Sequence, residues 1–242
     1  MLTEAVRQGR PTSYIDSLIK AGADVNAQHA ITGLSSMHIA AKHGKCEHIE
    51  HLADGHGADV NARSLKSGAT PLWVACHYNR YDAVATLLAH GAHVEATDKS
   101  SKSSLMLAAG DGDLRILELL AGAGAPLDVQ DVHGDTALHH ACRRGRTKCA
   151  KELIDRDANT GIVNLVGRTP RFEAEAAGKT QCAVDVSVAA RMQQLRQRDV
   201  RIPPRGSIDD ALVLFDPRTT SPGRGGAGSP PQAPSPWADD AA

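Results

Sequence analysis

The chain has 242 residues, and its 27 Lys+Arg against 28 Asp+Glu leave a formal net charge of -1. That balance removes any global attraction for nucleic acid, and no apolar run nears the roughly 18 residues that a membrane span requires. Aromatic residues are only 3% of the chain, which suits thin helices stacked through alanine better than a bulky globular core. Met1-Leu-Thr-Glu has no basic or apolar leader region, so no secretory signal is expected. The five cysteines (Cys46, Cys76, Cys142, Cys149, Cys182) are odd in number and lack the spacing of a disulfide framework. Free thiols in a reducing compartment, the cytoplasm or the nucleus, are expected.

In chain order, residues 1–28 read as two short helices, the first carrying Leu2, Ala5 and Val6 and the second Ile15, Leu18 and Ile19. The unit starts midway, as a shortened cap or a fragment would. Residues 29–62 form a second unit, opened by Ser35-Ser36-Met37-His38, with Cys46, Ile49, Leu52 and Ala53 on the apolar face of its second helix. Residues 63–96 are the clearest. Thr70 can N-cap, Pro71 is pre-set for the first helical turn, and Val84, Leu87 and Leu88 fall at i, i+3 and i+4. Gly91 ends the second helix, where a left-handed residue is wanted. The fourth unit, 97–129, starts at Ser103 and holds the most apolar second helix. The fifth, 130–163, starts at Thr136. The sixth, 164–190, restarts at Gly167-Arg-Thr-Pro170 with Arg171 where an apolar residue would be usual. A helical extension follows to about residue 198. Residues 199–242, rich in Pro, Gly and Ser, are expected to be disordered, apart from a short acidic amphipathic segment over Ile208–Asp216.

The starts at Thr70, Ser103, Thr136 and Thr169 are 33 residues apart. The unit ends recur as Gly22-Ala-Asp-Val-Asn-Ala27, Gly57-Ala-Asp-Val-Asn-Ala62 and Gly91-Ala-His-Val-Glu-Ala96. A 33-residue period with Thr-Pro-Leu-His-like starts, closest at Thr136-Ala-Leu-His139, resembles the ankyrin repeat family. The resemblance covers about residues 1–190. It implies an all-α solenoid of about six repeats within a domain at 1–198, each repeat a helix hairpin with a β-turn finger. The connections before Ser35 and Thr70 hold one residue more than the later ones, so their fingers should be longer. His38 and His139 stand at the family's inner-helix histidine, which implies a hydrogen bond to the adjacent finger rather than catalysis.

The resemblance also implies partner binding by the finger tips and the exposed inner-helix face. Carried over residue by residue, these positions are Lys42, His43, Lys66, His77, Tyr78, Lys99, Lys102, His133, Arg143, Arg144 and Arg168. Thr32, Leu34, Ala69, Asp111 and Asp135 fall in the same set. Its charges are mostly positive although the whole chain is neutral, so an acidic partner segment is expected, with Ile208–Asp216 a candidate occupant in cis. Leu18 followed by Asp24-Val25-Asn26 is similar to the family's asparagine-hydroxylation sites, which marks Asn26 as a modification candidate.

Signals for chemistry are weak. Gly178-Lys179-Thr180 is the end of a phosphate loop, but Glu173 stands where its first glycine is needed. His43, Cys46, His48, His51 and His56 are metal-ligand types, yet the set is not expected to converge, and His48 and His51, at i and i+3, would need ligands from elsewhere to hold a metal. No nucleophile–base pair has a reason to meet. The expected function is therefore a non-catalytic, monomeric protein-interaction scaffold or adaptor without cofactor or metal. The alternative is a substrate-recognition subunit of an enzyme complex such as a ubiquitin ligase.

Overall fold

The computed structural model describes residues 1–197. Among them are twelve α-helices and no strand: α1 (Leu2–Gln8), α2 (Thr12–Lys20), α3 (Ser36–His43), α4 (Cys46–His56), α5 (Pro71–His77), α6 (Tyr81–Ala89), α7 (Ser104–Asp111), α8 (Leu114–Gly122), α9 (Ala137–Arg144), α10 (Thr147–Asp155), α11 (Pro170–Ala176) and α12 (Thr180–Gln197). They pair in sequence as six hairpins. The odd helices pack in one row, α1 on α3 through to α11, and the even helices from α4 to α12 in a second. None of these helices is long and apolar enough to cross a membrane.

The hairpins begin where the hydroxyl residues stand. Ser35, Thr70, Ser103, Thr136 and Thr169 are the N-caps of α3, α5, α7, α9 and α11. Thr70 Oγ1 accepts the Trp73 N–H at 3.3 Å, and Ser103 Oγ accepts the Met106 N–H at 3.2 Å. Each bond satisfies a first-turn donor that has no partner inside the helix. Asp113 caps α8 through the Ile116 N–H. Gly91 takes a positive φ of 78° just beyond α6.

The fingers differ in length as expected. The first two close between residues 29 and 34 and between 64 and 69, the later three between 98 and 102, 131 and 135, and 164 and 168. In the short fingers one side-chain oxygen holds the turn. Asp131 Oδ1 accepts the N–H groups of His133 and Asp135, and Asp98 and Asn164 do the same in theirs. Gly134 is required by its neighbour as well as by its φ of 75°, since a Cβ there would lie 2.8 Å from Leu165 N.

Adjacent fingers are joined by backbone bonds: the N–H groups of Leu65, Lys99, Val132 and Leu165 donate to Gly33, Ser67, Ser100 and His133. The inner-helix histidines add a second tie. His38 Nε2 meets Ala69 O at 2.9 Å, and His139 Nε2 meets Arg168 O at 3.0 Å. Each ring's Nδ1 faces its own N-cap residue, Ser35 or Thr136, so the structural role implied by the resemblance is the observed one.

At the other end of the hairpins, Asn26 Oδ1 accepts the Asp59 N–H, Asn61 Oδ1 the His93 N–H, and Asp128 Oδ1 the Asn159 N–H. α12 runs unbroken past residue 190, so the sixth outer helix and the expected extension are one element. Gln193 fastens it to Ala158 and Thr160. The expected disordered tail, with its Ile208–Asp216 segment, lies outside the described residues.

Leu117 is fully buried in the shared core beside Ile116 and Leu120. Leu117→Ala should lower stability by about 2–5 kcal/mol, measured as a loss of urea midpoint at constant m-value.

Burial lowers the basicity of His38 and His139 from the ordinary value of 6.5, and that of His43 and His140 as well. The unfolded chain then takes up protons near pH 6.5 that the folded chain refuses. Their contribution is complete above that pH and declines as pH falls through it toward the lower folded values. His90 acts in the opposite sense. Its basicity is raised, chiefly by Thr86 O and then by Asp54, so its contribution is present below 6.5 and fades as pH rises through its folded value. The urea midpoint should therefore fall between pH 7.5 and 5.5, and His38→Gln with His139→Gln should flatten that slope.

Candidate partner-binding face

The carried-over positions fall into three groups. The first lies where α5 ends. His77 is exposed, Tyr78 is 40% exposed, and Trp73 is half-buried one turn earlier. The Trp73 and His77 rings stack with centroids 5.1 Å apart, the His77 and Tyr78 rings meet edge to face at 5.0 Å, and Lys42 Nζ sits 4.9 Å from the Tyr78 ring centroid. Two neighbouring hairpins thus build one aromatic strip with an ammonium over it.

Trp73 did not figure among the sequence candidates. It occupies the position that His38 and His139 hold in their units, and its Nε1–H donates to Lys102 O at 3.0 Å, as the histidines do to their fingers. The signal was the register itself, Thr70-Pro-Leu-Trp73 in place of Thr-Pro-Leu-His.

The second group is on the finger tips. Lys66 and His133 are exposed, Lys102 is half-buried, and the Lys99 ammonium donates to Leu65 O at 2.8 Å. Thr32 is exposed and Leu34 half-buried, whereas Ala69 is buried at 1% exposure, closed in because its carbonyl receives His38. His43 is exposed at the end of α3, its basicity lowered by desolvation and then by Lys42, Lys45 and Arg80.

The third group is the arginines, which are already occupied. Arg143 Nη2 pairs with Asp135 Oδ2 at 2.6 Å, and its Nε pairs with Glu173 Oε2 at 3.0 Å. Arg144 meets Asp111 at 2.6 Å. Arg168 lies 5.4 Å over the Phe172 ring and 3.8 Å from Glu173. Asp135 is itself buried between Arg143 and Asn164. The positive excess seen in the sequence is therefore cancelled in this half by Asp111, Asp135 and Glu173. The Arg143 bond, followed by its charge and by Asn164 and Arg168, holds Glu173 below the usual carboxylate range despite burial.

Two groups of side chains have ligand atoms close enough for a metal ion among the described residues. In the first, Asp131, Asp135 and His140, the carboxylates are committed: Asp131 Oδ2 to His140 at 2.9 Å, Asp131 Oδ1 to two backbone N–H groups, and Asp135 to Arg143 and Asn164. The second corrects the expected pairing of His48 with His51. His48 turns to Arg10 O and Cys46 toward Gly44 O, but His51 and His56 converge on Asp16 of α2. Asp16 belongs to the preceding hairpin. Asn26, the modification candidate, is exposed, with its amide oxygen held by the Asp59 N–H.

Residues 2–98 and 105–184 match the family model described as Ankyrin repeats (3 copies). Among curated proteins, the chain is 35% identical over 126 residues to the B-cell lymphoma 3 protein homolog of Mus musculus, covering 52% of this chain and 28% of that protein. It is 31% identical over 228 residues to Inversin of Mus musculus, covering 77% of this chain and 21% of that protein. It is 34% identical over 119 residues to Ankyrin repeat domain-containing protein 37 of Bos taurus, covering 49% of this chain and 75% of that protein. The chain thus spans about a quarter of the length of the first two relatives.

Arg143→Ala would leave the buried carboxylates of Asp135 and Glu173 without their shared cation. A stability loss of about 1–3 kcal/mol is expected, with reduced amide protection in α9 and α11 as the local readout.

Proposed function

The chain belongs to the ankyrin repeat family, and on that premise we propose that it is a non-catalytic scaffold or adaptor that holds another protein on its finger and inner-helix face. Ankyrin repeats are protein-interaction modules, and the family is typically non-enzymatic. The observation that carries the proposal is the exposed strip of His77 and Tyr78, backed by Trp73 and topped by Lys42. Tyrosine is a rigid anchor that loses little entropy on binding, and residues of this type dominate interface energetics when a partner excludes water around them.

Lys66, Lys99, Lys102 and His133 extend the surface along the fingers, and His43 flanks Lys42. Together with Lys42 they favour an acidic segment of the partner, since complementary charge raises association rate and fixes register. Arg143, Arg144 and Arg168 contribute by shape at the far end, their charges being balanced internally. Five free cysteines, four of them buried, support residence in a reducing compartment, the cytoplasm or nucleus.

Proximity labelling with the full chain identifies the partner, and surface plasmon resonance then tests the face. Tyr78→Ala should weaken binding by about 2 kcal/mol, mainly through faster dissociation. Lys42→Glu with Lys66→Glu should slow association and reduce its salt dependence. A partner whose rates are untouched by both variants binds elsewhere.

A further inference from the structure

We propose that Asp16, His51 and His56 form a site for one divalent transition-metal ion of the zinc class, on the outer-helix side of the first two repeats. Asp16 stands on α2, His51 and His56 on α4. Both ring nitrogens, Nε2 of His51 at 2.8 Å and Nε2 of His56 at 2.7 Å, meet the same carboxylate oxygen, Asp16 Oδ1. Two rings that served only as hydrogen-bond donors had two oxygens to share. Instead they converge on one point, their centroids 5.0 Å apart and their planes at 74°. All three ligand atoms lie within 4.8 Å of one another.

The donor set is two imidazoles and one carboxylate, which suits zinc, copper, nickel or cobalt rather than calcium or magnesium. Three protein ligands leave a fourth position for water. The side chains are half-buried, at 27%, 19% and 32% exposure for His51, His56 and Asp16, so an ion can enter from solvent.

An ion about 2.0–2.1 Å from each ligand holds them roughly 3.3 Å apart in a tetrahedron. Asp16 must therefore withdraw from each ring by roughly 0.5 Å, a small adjustment for side chains on two separate helices. Glu47, Glu50 and Asp54 line the hollow beside His51 with Thr12, and their charges raise the local cation concentration.

The proton count closes simply. A neutral ring now donating through Nε2–H shifts that proton to Nδ1 and ligates through Nε2 with no net release, and a ring protonated on both nitrogens releases one proton to solvent.

The test uses the purified full chain, freed of metal by chelation, with Co(II) and Zn(II) as probes. Co(II) should bind one equivalent with the visible absorption of a four-coordinate ion. Zn(II) should displace it and raise the melting temperature, because the assembled site binds it more tightly than the unfolded chain does. His51→Gln with His56→Gln keeps side chains able to donate to Asp16. Its metal-free melting curve should stay near the parent's, while its affinity falls at least about 100-fold and the zinc-induced shift disappears. Asp16→Asn should weaken binding less. Absence of any binding tighter than about 100 µM overturns the proposal, and so does binding undiminished in the double histidine variant, which would assign the metal to other side chains.

Discussion

Each unit of this chain leaves polar groups that only the next unit can satisfy, and that incompleteness organises the rest. The carbonyl just before an N-cap residue points at the preceding inner helix, and a ring N–H from that helix meets it: His38 to Ala69, Trp73 to Lys102, His139 to Arg168. These bonds span 31, 29 and 29 residues, and with the backbone bonds between fingers they set the second to sixth hairpins in register with one another. A buried donor or acceptor without a partner costs about 1–3 kcal/mol, so units can stack only where each supplies the partner that its neighbour's covered groups lose from water, while a hairpin on its own leaves its apolar face uncovered. Stability therefore resides in interfaces between units, and the ends of the inner helices are delivered side by side as a surface.

The local part of this arrangement was legible in the sequence. The N-caps, the hairpin order and the extra residue in the first two fingers all follow from hydroxyl residues, glycines and counted intervals. The partners of charged side chains were not legible in the same way. Arg143 and Arg144 read as part of a basic face because the carried-over positions are mostly positive while the chain as a whole is neutral. Their counter-ions Glu173 and Asp111 lie 30 and 33 residues away on adjacent inner helices. Asp16 was hidden for the same reason, since His51 and His56 reach it across 35 and 40 residues. Periodicity says which units adjoin but not which long side chains reach across.

The two halves of the finger and inner-helix face consequently differ in what they can offer a partner. Exposed ion pairs contribute about 0–1 kcal/mol, and a partner carboxylate approaching Arg144 competes with Asp111 for little gain. Arg143 is more firmly engaged, because both of its acids are buried and would be stranded if it turned outward. Around Tyr78 no such ion pair is found among the described residues. The Lys42 ammonium rests on a ring face, a contact worth about 0.5–1 kcal/mol at an exposed site, and Tyr78 beneath it stays 40% exposed.

The distinctive surfaces arise where the chain departs from its own repeat. Phe172 stands where His139 stands one unit earlier, but it is 49% exposed because no finger among the described residues covers it, and Arg168 folds over it. Glu173, at the position of His140, turns into the stack and binds Arg143 there. Trp73 meets the same structural demand as the histidines, but its ring is larger than the hydrogen bond needs. The surplus area is what His77 stacks on. A residue that keeps the register bond while presenting more ring to the surface can serve the fold and a partner together, which is why the aromatic strip forms at the third unit, where His has given way to Trp.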